Sequence, residues 1–433
     1  MHKAMAAAEQ PSTGVSIRPE TAHRRFDEGD FWRKVPGYAD LEADRFLDPS
    51  WQSRSSVRSV GDLRALLAST VNPAFFDDLH RGVESSSMSL RVSPYIIGLI
   101  DWTQPTSDPL RRQFLPLASE QEEDHPALAA DSLAEQAFSP VKGLTRRYPD
   151  KALFLPINTC PVYCSFCTRS YTVGLDTPEV SKLALRADRR RWAEAFAWLA
   201  ENPEVEDLVV SGGDAFNLNA RAIQEISQAL LAIPSLRRIR IATKGLAVLP
   251  SRITHDREWT EAILTWVRKA REQGVSVAIH THFNHPNEIT WVTRDAAELL
   301  FRAGVVVRNQ SVLLRGVNDS PEVMALLVKR LGHLHISPYY VYLHDMVAGG
   351  EGFRTSLQTA IDLEKRVRGL TAGFHTPTFV VDLPGGGGKR SVHSFESYDR
   401  ASGRSVFVSP AVGGNREYCY FDPQREILFD TLG

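Results

Sequence analysis

The sequence predicts an α/β protein built on a partial (β/α)6 barrel of the TIM type, with an N-terminal helical region before it and a small C-terminal extension after it. Three observations predict this. Short apolar runs recur at Ala152–Ile157, Leu208–Val210, Ile239–Ala242, Val275–Ile279, Val305–Val307 and Ile336–Tyr342. Amphipathic segments lie between them, among them Arg191–Leu199, Ala222–Leu231, Trp259–Arg271 and Arg294–Arg302. The 433 residues are 43% hydrophobic and 24% charged, an ordinary globular composition with ample material for a core. Strands of a parallel sheet read as continuous apolar runs because both faces are covered, and alternation with helices marks repeated strand–helix units. Six units rather than eight leave a barrel with an open side. A doubly wound open sheet is the competing arrangement.

The elements follow in chain order. Residues 1–20 are polar, small and rich in Ala, Ser and Pro, a composition expected to be mobile. From Phe31 to Phe138 the pattern is of helices joined by loops, with Asp62–Leu67 and Ser93–Ile100 as two of the pieces. The acidic run Glu120–Asp124 reads as a solvated loop. Residues 1–140 are therefore assigned to the helical region and 141–375 to the barrel. The extension, 376–433, opens on a strand candidate, Thr378–Val381, and a glycine-rich turn, Pro384–Lys389, and ends as a small β-rich cap. A net charge of -2 gives no global pull toward nucleic acid or an anionic membrane. No window approaches the roughly 18 apolar residues of a membrane span, and the first residues lack the apolar stretch of a signal peptide. A soluble, cytoplasmic protein is expected.

Three of the four cysteines, Cys160, Cys164 and Cys167, fall in one CxxxCxxC run directly after the first barrel strand. A disulfide scaffold needs more cysteines on a smaller chain. A zinc site usually brings four ligands in two pairs. Three thiolates on one loop suit three irons of a [4Fe–4S] cubane, leaving the fourth iron open to a ligand. With Tyr163 before the second cysteine, the run resembles the signature of the radical S-adenosylmethionine (SAM) superfamily. That resemblance makes the barrel one of the radical SAM type. It implies SAM on the open iron and reductive cleavage to a 5′-deoxyadenosyl radical. Ser211-Gly212-Gly213-Asp214 ends the second strand run and resembles the superfamily element that meets the SAM amino group. Glycines let main chain approach a ligand, and a carboxylate accepts hydrogen bonds from an ammonium.

Pro384-Gly-Gly-Gly-Gly-Lys389 is not a Walker phosphate loop, since Arg390 follows the lysine. Four glycines in a row are costly in backbone entropy and suit close passage of main chain by a ligand. A lysine there can form a Schiff base with pyridoxal phosphate (PLP), with a flexible surface loop as the competing reading. From about residue 60 to residue 393 the chain resembles the lysine 2,3-aminomutase family, enzymes that combine radical SAM chemistry with PLP. The markers include Gly143-Leu-Thr-Arg-Arg147-Tyr-Pro-Asp, Thr281-His-Phe-Asn-His-Pro-Asn-Glu-Ile-Thr290, Asn309-Gln-Ser-Val-Leu-Leu-Arg-Gly-Val-Asn-Asp319 and Pro377-Thr-Phe-Val-Val-Asp-Leu-Pro-Gly-Gly-Gly-Gly-Lys389. The resemblance implies that Lys389, beside Gly388, is the PLP lysine and that Arg147 meets the PLP phosphate. It also places His282 and Gln310 on the SAM and PLP side of the barrel. Packed polar groups of a barrel interior are the competing reading for those two.

Three further residues bear on substrate. The resemblance implies that Arg169 clamps the substrate carboxylate and that Asp345 and Asp382 receive a distal ammonium. A guanidinium fork suits a carboxylate, and two buried acids need a cation between them. The substrate implied is a free α-amino acid with a basic side chain, lysine or arginine, whose amino group moves from C2 to C3. A one-electron donor such as flavodoxin or ferredoxin is the implied partner. Many members bind zinc through C-terminal cysteines and one cysteine after the Asn-Asp of the 309–319 element. Here that position is Ser320 and only Cys419 lies toward the end, so zinc is not expected and a homo-oligomer stays open. A β-lysine-forming enzyme serving a translation factor is one alternative. A non-catalytic iron–sulfur electron carrier is another, of a different class.

Overall fold

The computed structural model describes residues 21–430, so the mobility expected of residues 1–20 falls outside the described residues. Nine strands form one sheet in sequence order: β1 (Leu144–Thr145), β2 (Lys151–Phe154), β3 (Asp207–Val210), β4 (Arg238–Ala242), β5 (Ser276–Thr281), β6 (Val306–Leu313), β7 (Ile336–Leu343), β8 (Thr378–Leu383) and β9 (Gly388–Ser391). Strands β2 to β8 pair in parallel, and β1 and β9 pair antiparallel at the two edges. The edges do not meet among the described residues, so the barrel is open. The six helices Arg189–Glu201, Ala220–Leu231, Arg257–Glu272, Trp291–Arg302, Pro321–His333 and Leu357–Val367 follow β2 to β7 in turn. This is the expected partial barrel. Its sheet runs past residue 375, because β8 and β9 complete it. Among the described residues no helix is long and apolar enough to cross a membrane.

Each of those helices begins earlier than its apolar periodicity or has a start that periodicity does not give, and the reason is the same throughout. A polar side chain just before the helix accepts an N–H of its first turn, satisfying a donor the helix leaves unpaired. Asp188, Asn219, Asp256, Thr290, Ser320 and Ser356 do this. Ser320, at the position where many members of the resembled family carry a cysteine, thus serves the fold as a helix cap. Its hydroxyl accepts from the Val323 N–H at 3.2 Å. Strand alternation then sorts the barrel wall. Ile239, Ile279 and Val307 turn outward into the helix layer, while Arg240, His280, Arg308, Gln310, Tyr342 and Asp382 lie on the opposite face.

Two more expectations change. The first parallel strand, β2, is shorter than the apolar run Ala152–Ile157, because the chain leaves the sheet after Phe154 to begin the cysteine loop. The acidic run Glu120–Asp124 is not a merely solvated loop. Glu120 pairs with Arg111 and Arg112 at 2.6 and 2.9 Å, and Glu122 pairs with Arg315 and Arg425 at 2.8 and 2.5 Å. The partners of Glu122 come from distant parts of the chain, so nothing local announces them. The β-rich cap is present as β10 (Ser397–Asp399), β11 (Arg404–Val408) and β12 (Glu417–Phe421), an antiparallel sheet in that order.

Candidate active site

The cysteine loop is built against the end of β3. The N–H groups of Gly213 and Asp214 donate to the carbonyls of Ile157 and Thr159 at 2.5 and 3.0 Å, and that of Ser211 donates to Phe154 at 2.9 Å. A Cβ on Gly212, whose φ is +102°, would lie 2.2 Å from the Ile157 oxygen, and one on Gly213 would lie 2.6 Å from Thr159 backbone. The two glycines thus bring β3 close to the cysteine loop itself rather than directly to a ligand. Asp214 is likewise engaged. Its oxygens accept from the N–H groups of Phe216 and Lys244, both at 2.8 Å, and burial pushes its carboxyl up to about 6.

Cys160, Cys164 and Cys167 are free thiols in apolar surroundings. Met88, Tyr163 and Val173 pack beside Cys160 and Cys167, and Phe166, Leu314 and Val317 beside Cys164. Burial pushes all three thiols up, Cys164 to about 12. Thiols so placed ionise when a metal supplies the missing positive charge, so the donor set fits an iron–sulfur cluster. Among the described residues no three His, Cys, Asp or Glu side chains stand where one metal ion could be gripped. A cubane makes no such demand, because each thiolate ligates its own iron. His282 stacks on Phe166 with ring centroids 6.0 Å apart, and its buried Nε2 has no hydrogen-bond partner. Burial holds this imidazole well below its usual range, so it is neutral.

At the other end of the site the charged residues expected to meet separate parts of the ligands meet one another. Arg147 forks Asp382 through Nη1 and Nη2 at 3.0 and 3.1 Å, and Lys389 Nζ donates to the same carboxylate at 3.0 Å. Burial acts to raise the Asp382 carboxyl, but Arg147 and Lys389 outweigh it and hold the group well below the usual carboxylate range. Asp345 differs. Thr168 donates to its Oδ2 at 2.6 Å, and its buried Oδ1 has no partner. Burial, and then the charge of Asp382, push Asp345 up to about 7. Arg169 contacts neither acid; it forks Glu135 through Nε and Nη2, both at 2.8 Å.

Lys389 stands directly opposite Asp382 across the β8–β9 pairing. Its own N–H donates to the Tyr148 hydroxyl at 2.7 Å. The glycines before it let this chain's aromatic rings close over the turn. A Cβ on Gly386, with φ +89°, would lie 2.3 Å from the Phe138 ring, and one on Gly388, with φ +75°, 2.6 Å from the Tyr148 hydroxyl. Lysine, the Arg147 guanidinium and the neighbouring Tyr148 hydroxyl form a donor set that fits a phosphate-bearing aldehyde. Gln310 faces His280, Nε2 to Nδ1 at 3.3 Å, and His280 is pushed down to about 3 by burial, Arg240 and Arg308.

Sequence reasoning missed Glu135, Thr168, Tyr171 and the pair Lys244–Glu288. Lys244 Nζ lies 2.9 Å from Glu288 and also donates to the His282 carbonyl at 2.9 Å. Both side chains are buried, which leaves this lysine no free amine for a carbonyl ligand. Glu288 stands inside the 281–290 motif, so a buried counter-ion could have been sought there. Glu135 follows an unremarkable loop and carries no signal of its kind.

No protein-family model matches the chain. An L-lysine 2,3-aminomutase from Clostridium subterminale is 37% identical over 362 residues, 83% of this chain and 81% of that protein. An L-lysine 2,3-aminomutase from Bacillus subtilis is 35% identical over 83% of this chain and 71% of that one. A glutamate 2,3-aminomutase from Clostridioides difficile is 34% identical over 69% of this chain and 66% of that one. A solved radical SAM methyltransferase from Sphaerobacter thermophilus is 20% identical, with a TM-score of 0.36 over 55% of this chain and 68% of that one, too distant to inform the site.

Proposed function

From the premise that the chain belongs to the lysine 2,3-aminomutase family, we propose that it is a radical SAM, PLP-dependent isomerase of a basic α-amino acid, lysine or arginine, working in the cytoplasm. Its cofactors are a [4Fe–4S] cluster, SAM and PLP, and together these supply a carbon-centred radical at C3 and a π system through which nitrogen passes from C2 to C3. The chain's own groups bind, orient and exclude water. Cys160, Cys164 and Cys167 hold the cluster. Ser211, Gly212, Gly213 and Asp214 shape the SAM end by fixing the cysteine loop, and His282 offers its unengaged Nε2 there. Lys389 anchors PLP beside Gly388, with Arg147 at the phosphate and Gln310 at the ring side. Arg169 takes the substrate carboxylate. Asp345 and Asp382 take the distal cation.

The observation that carries the substrate class is Asp345. A buried carboxylate with a bare Oδ1 next to a second acid is costly unless a cation arrives. A distal carboxylate, as in glutamate, would set a like charge against the bare Oδ1 of Asp345. Anaerobic incubation with lysine, arginine, ornithine and glutamate, with products resolved by mass spectrometry, tests the reading. A 3-amino product from lysine or arginine is expected; faster turnover of glutamate overturns it. A flavodoxin or ferredoxin supplies the electron.

A further inference from the structure

We infer that Glu135 is the positioning residue of the carboxylate clamp: it occupies the Nε–Nη2 edge of Arg169 and so presents the Nη1 end of that guanidinium to the substrate. The inference rests on the reading of Arg169 as the clamp. A guanidinium offers two edges to a carboxylate, and one is taken. Both Glu135 oxygens accept from Arg169 at 2.8 Å, and the Tyr171 hydroxyl donates to Oε2 at 2.8 Å. Nη1 donates to nothing among the described residues. Exposure orders the pair: the Glu135 side chain is 2% exposed and that of Arg169 is 26% exposed, so the acid is the more deeply buried partner behind the guanidinium.

The turn that carries Glu135 is itself constrained. Ala134 has φ +54°, a left-handed conformation disfavoured for any residue with a Cβ. The Asp131 carboxylate accepts from the N–H groups of Glu135 and Gln136 at 2.8 and 2.9 Å, which holds the turn in that form. The same segment is fastened to the rest of the site. Ala129 N–H donates to the Met346 carbonyl at 3.1 Å, one residue past Asp345, and Gly385 N–H donates to the Ser132 carbonyl at 2.8 Å. Glu135 thus sets Arg169 in a frame shared with Asp345 and with the Lys389 turn. Its charge persists at neutral pH. Burial acts to raise the carboxyl, but Arg169 and then Arg147 outweigh it and lower the group.

The test reads ligand binding from the absorbance of the PLP-loaded protein, titrated with lysine and norleucine and with their carboxamides. In Glu135→Gln, lysine and norleucine should each bind at least about tenfold more weakly, while both amides stay within about twofold of wild type. Tyr171→Phe, which removes one donor to Glu135 and keeps the ion pair, should show a smaller loss confined to the same two acids. Equal losses on acids and amides would assign Glu135 to the fold alone and overturn the inference. So would tighter binding of the acids, which would make Glu135 a repelling charge. Norleucine separates the two readings: if wild type binds norleucine and not lysine, the basic-substrate proposal fails while the norleucine pair still tests Glu135. Wild type that does not distinguish acid from amide refutes Arg169 as the clamp, and Glu135 with it.

Discussion

Asp345 and Asp382 are chemically the same residue in one corner, yet they are poised differently. Asp382 is held ionised by Arg147 and Lys389, whereas Asp345 rises to about 7 through burial and the charge of Asp382. A raised acid stabilises the fold below its unfolded value of about 3.9 and loses that contribution as pH climbs through the folded value. If Asp345 receives a distal cation, as proposed, the cation prefers the ionised form, and binding below pH 7 releases a proton from Asp345. The KM for lysine is therefore expected to fall about tenfold between pH 6 and pH 8, and Asp345→Asn should flatten that slope. The same variant should lose roughly two to four decades of kcat/KM with lysine, and much less with norleucine, since breaking one side of a buried charge pair costs about 3–5 kcal/mol. Asp382→Asn should impair both substrates, because it also strips Arg147 and Lys389 of their partner. Borohydride reduction followed by peptide mapping should place the pyridoxyl group on Lys389; finding it on Lys244 would contradict the buried Lys244–Glu288 pair. Motifs make Arg147, Arg169, Asp382 and Lys389 legible in the sequence, but not Glu135. Their mutual pairing is not legible there, because Glu135 and Asp382 meet arginines 34 and 235 residues away.

The helices and strands are easier to read than the groups they carry. Continuous apolar runs find the parallel strands β2 to β8 and period-3.6 patterns find most of the barrel helices, while the short edge strands β1 and β9 carry no such run; the polar caps account for the missing helix ends. Pattern alone says less of the glycine turn between β8 and β9. Close backbone passage is expected there, but the neighbours are Phe138 and Tyr148 of the same chain. Gly386→Ala is accordingly expected to destabilise by about 1–3 kcal/mol through overpacking, with added strain from the positive φ. Thermal melting should show the loss, and PLP occupancy after desalting should fall with it, since Lys389 rides on the strand that follows. Unchanged melting and occupancy would mean that the Phe138 ring moves aside freely.

Across the whole molecule the expected boundary at residue 140 marks no break in the core. Trp32, Phe46, Leu63, Phe76 and Ile97 of the helical region belong to the same apolar cluster as Trp259, Ile279 and Ile336 of the barrel. A second cluster joins Leu313, Met324, Phe379 and Val381 to Tyr418 and Tyr420 of the C-terminal sheet. Deleting residues 21–100 should therefore leave no soluble barrel, since several large side chains would be exposed at about 1.5–3 kcal/mol each. Recovery of a soluble, cooperatively melting protein lacking residues 21–100 would show those residues to be an accessory. Composition shifts suggest three parts, and only contacts between distant residues reveal how two of them share one interior.

The direct opposition of Asp382 and Lys389 across β8 and β9 has a consequence for descent. Adding or removing one glycine in the turn shifts the pairing by a residue and turns every following side chain to the other face. If Asp382 selects substrate charge and Lys389 carries the cofactor, as proposed, a lineage cannot tune the one by lengthening this loop, because the same step would carry the other out of the site. The two traits are inherited as a unit, and new substrate preferences must arise by substitution at fixed loop length.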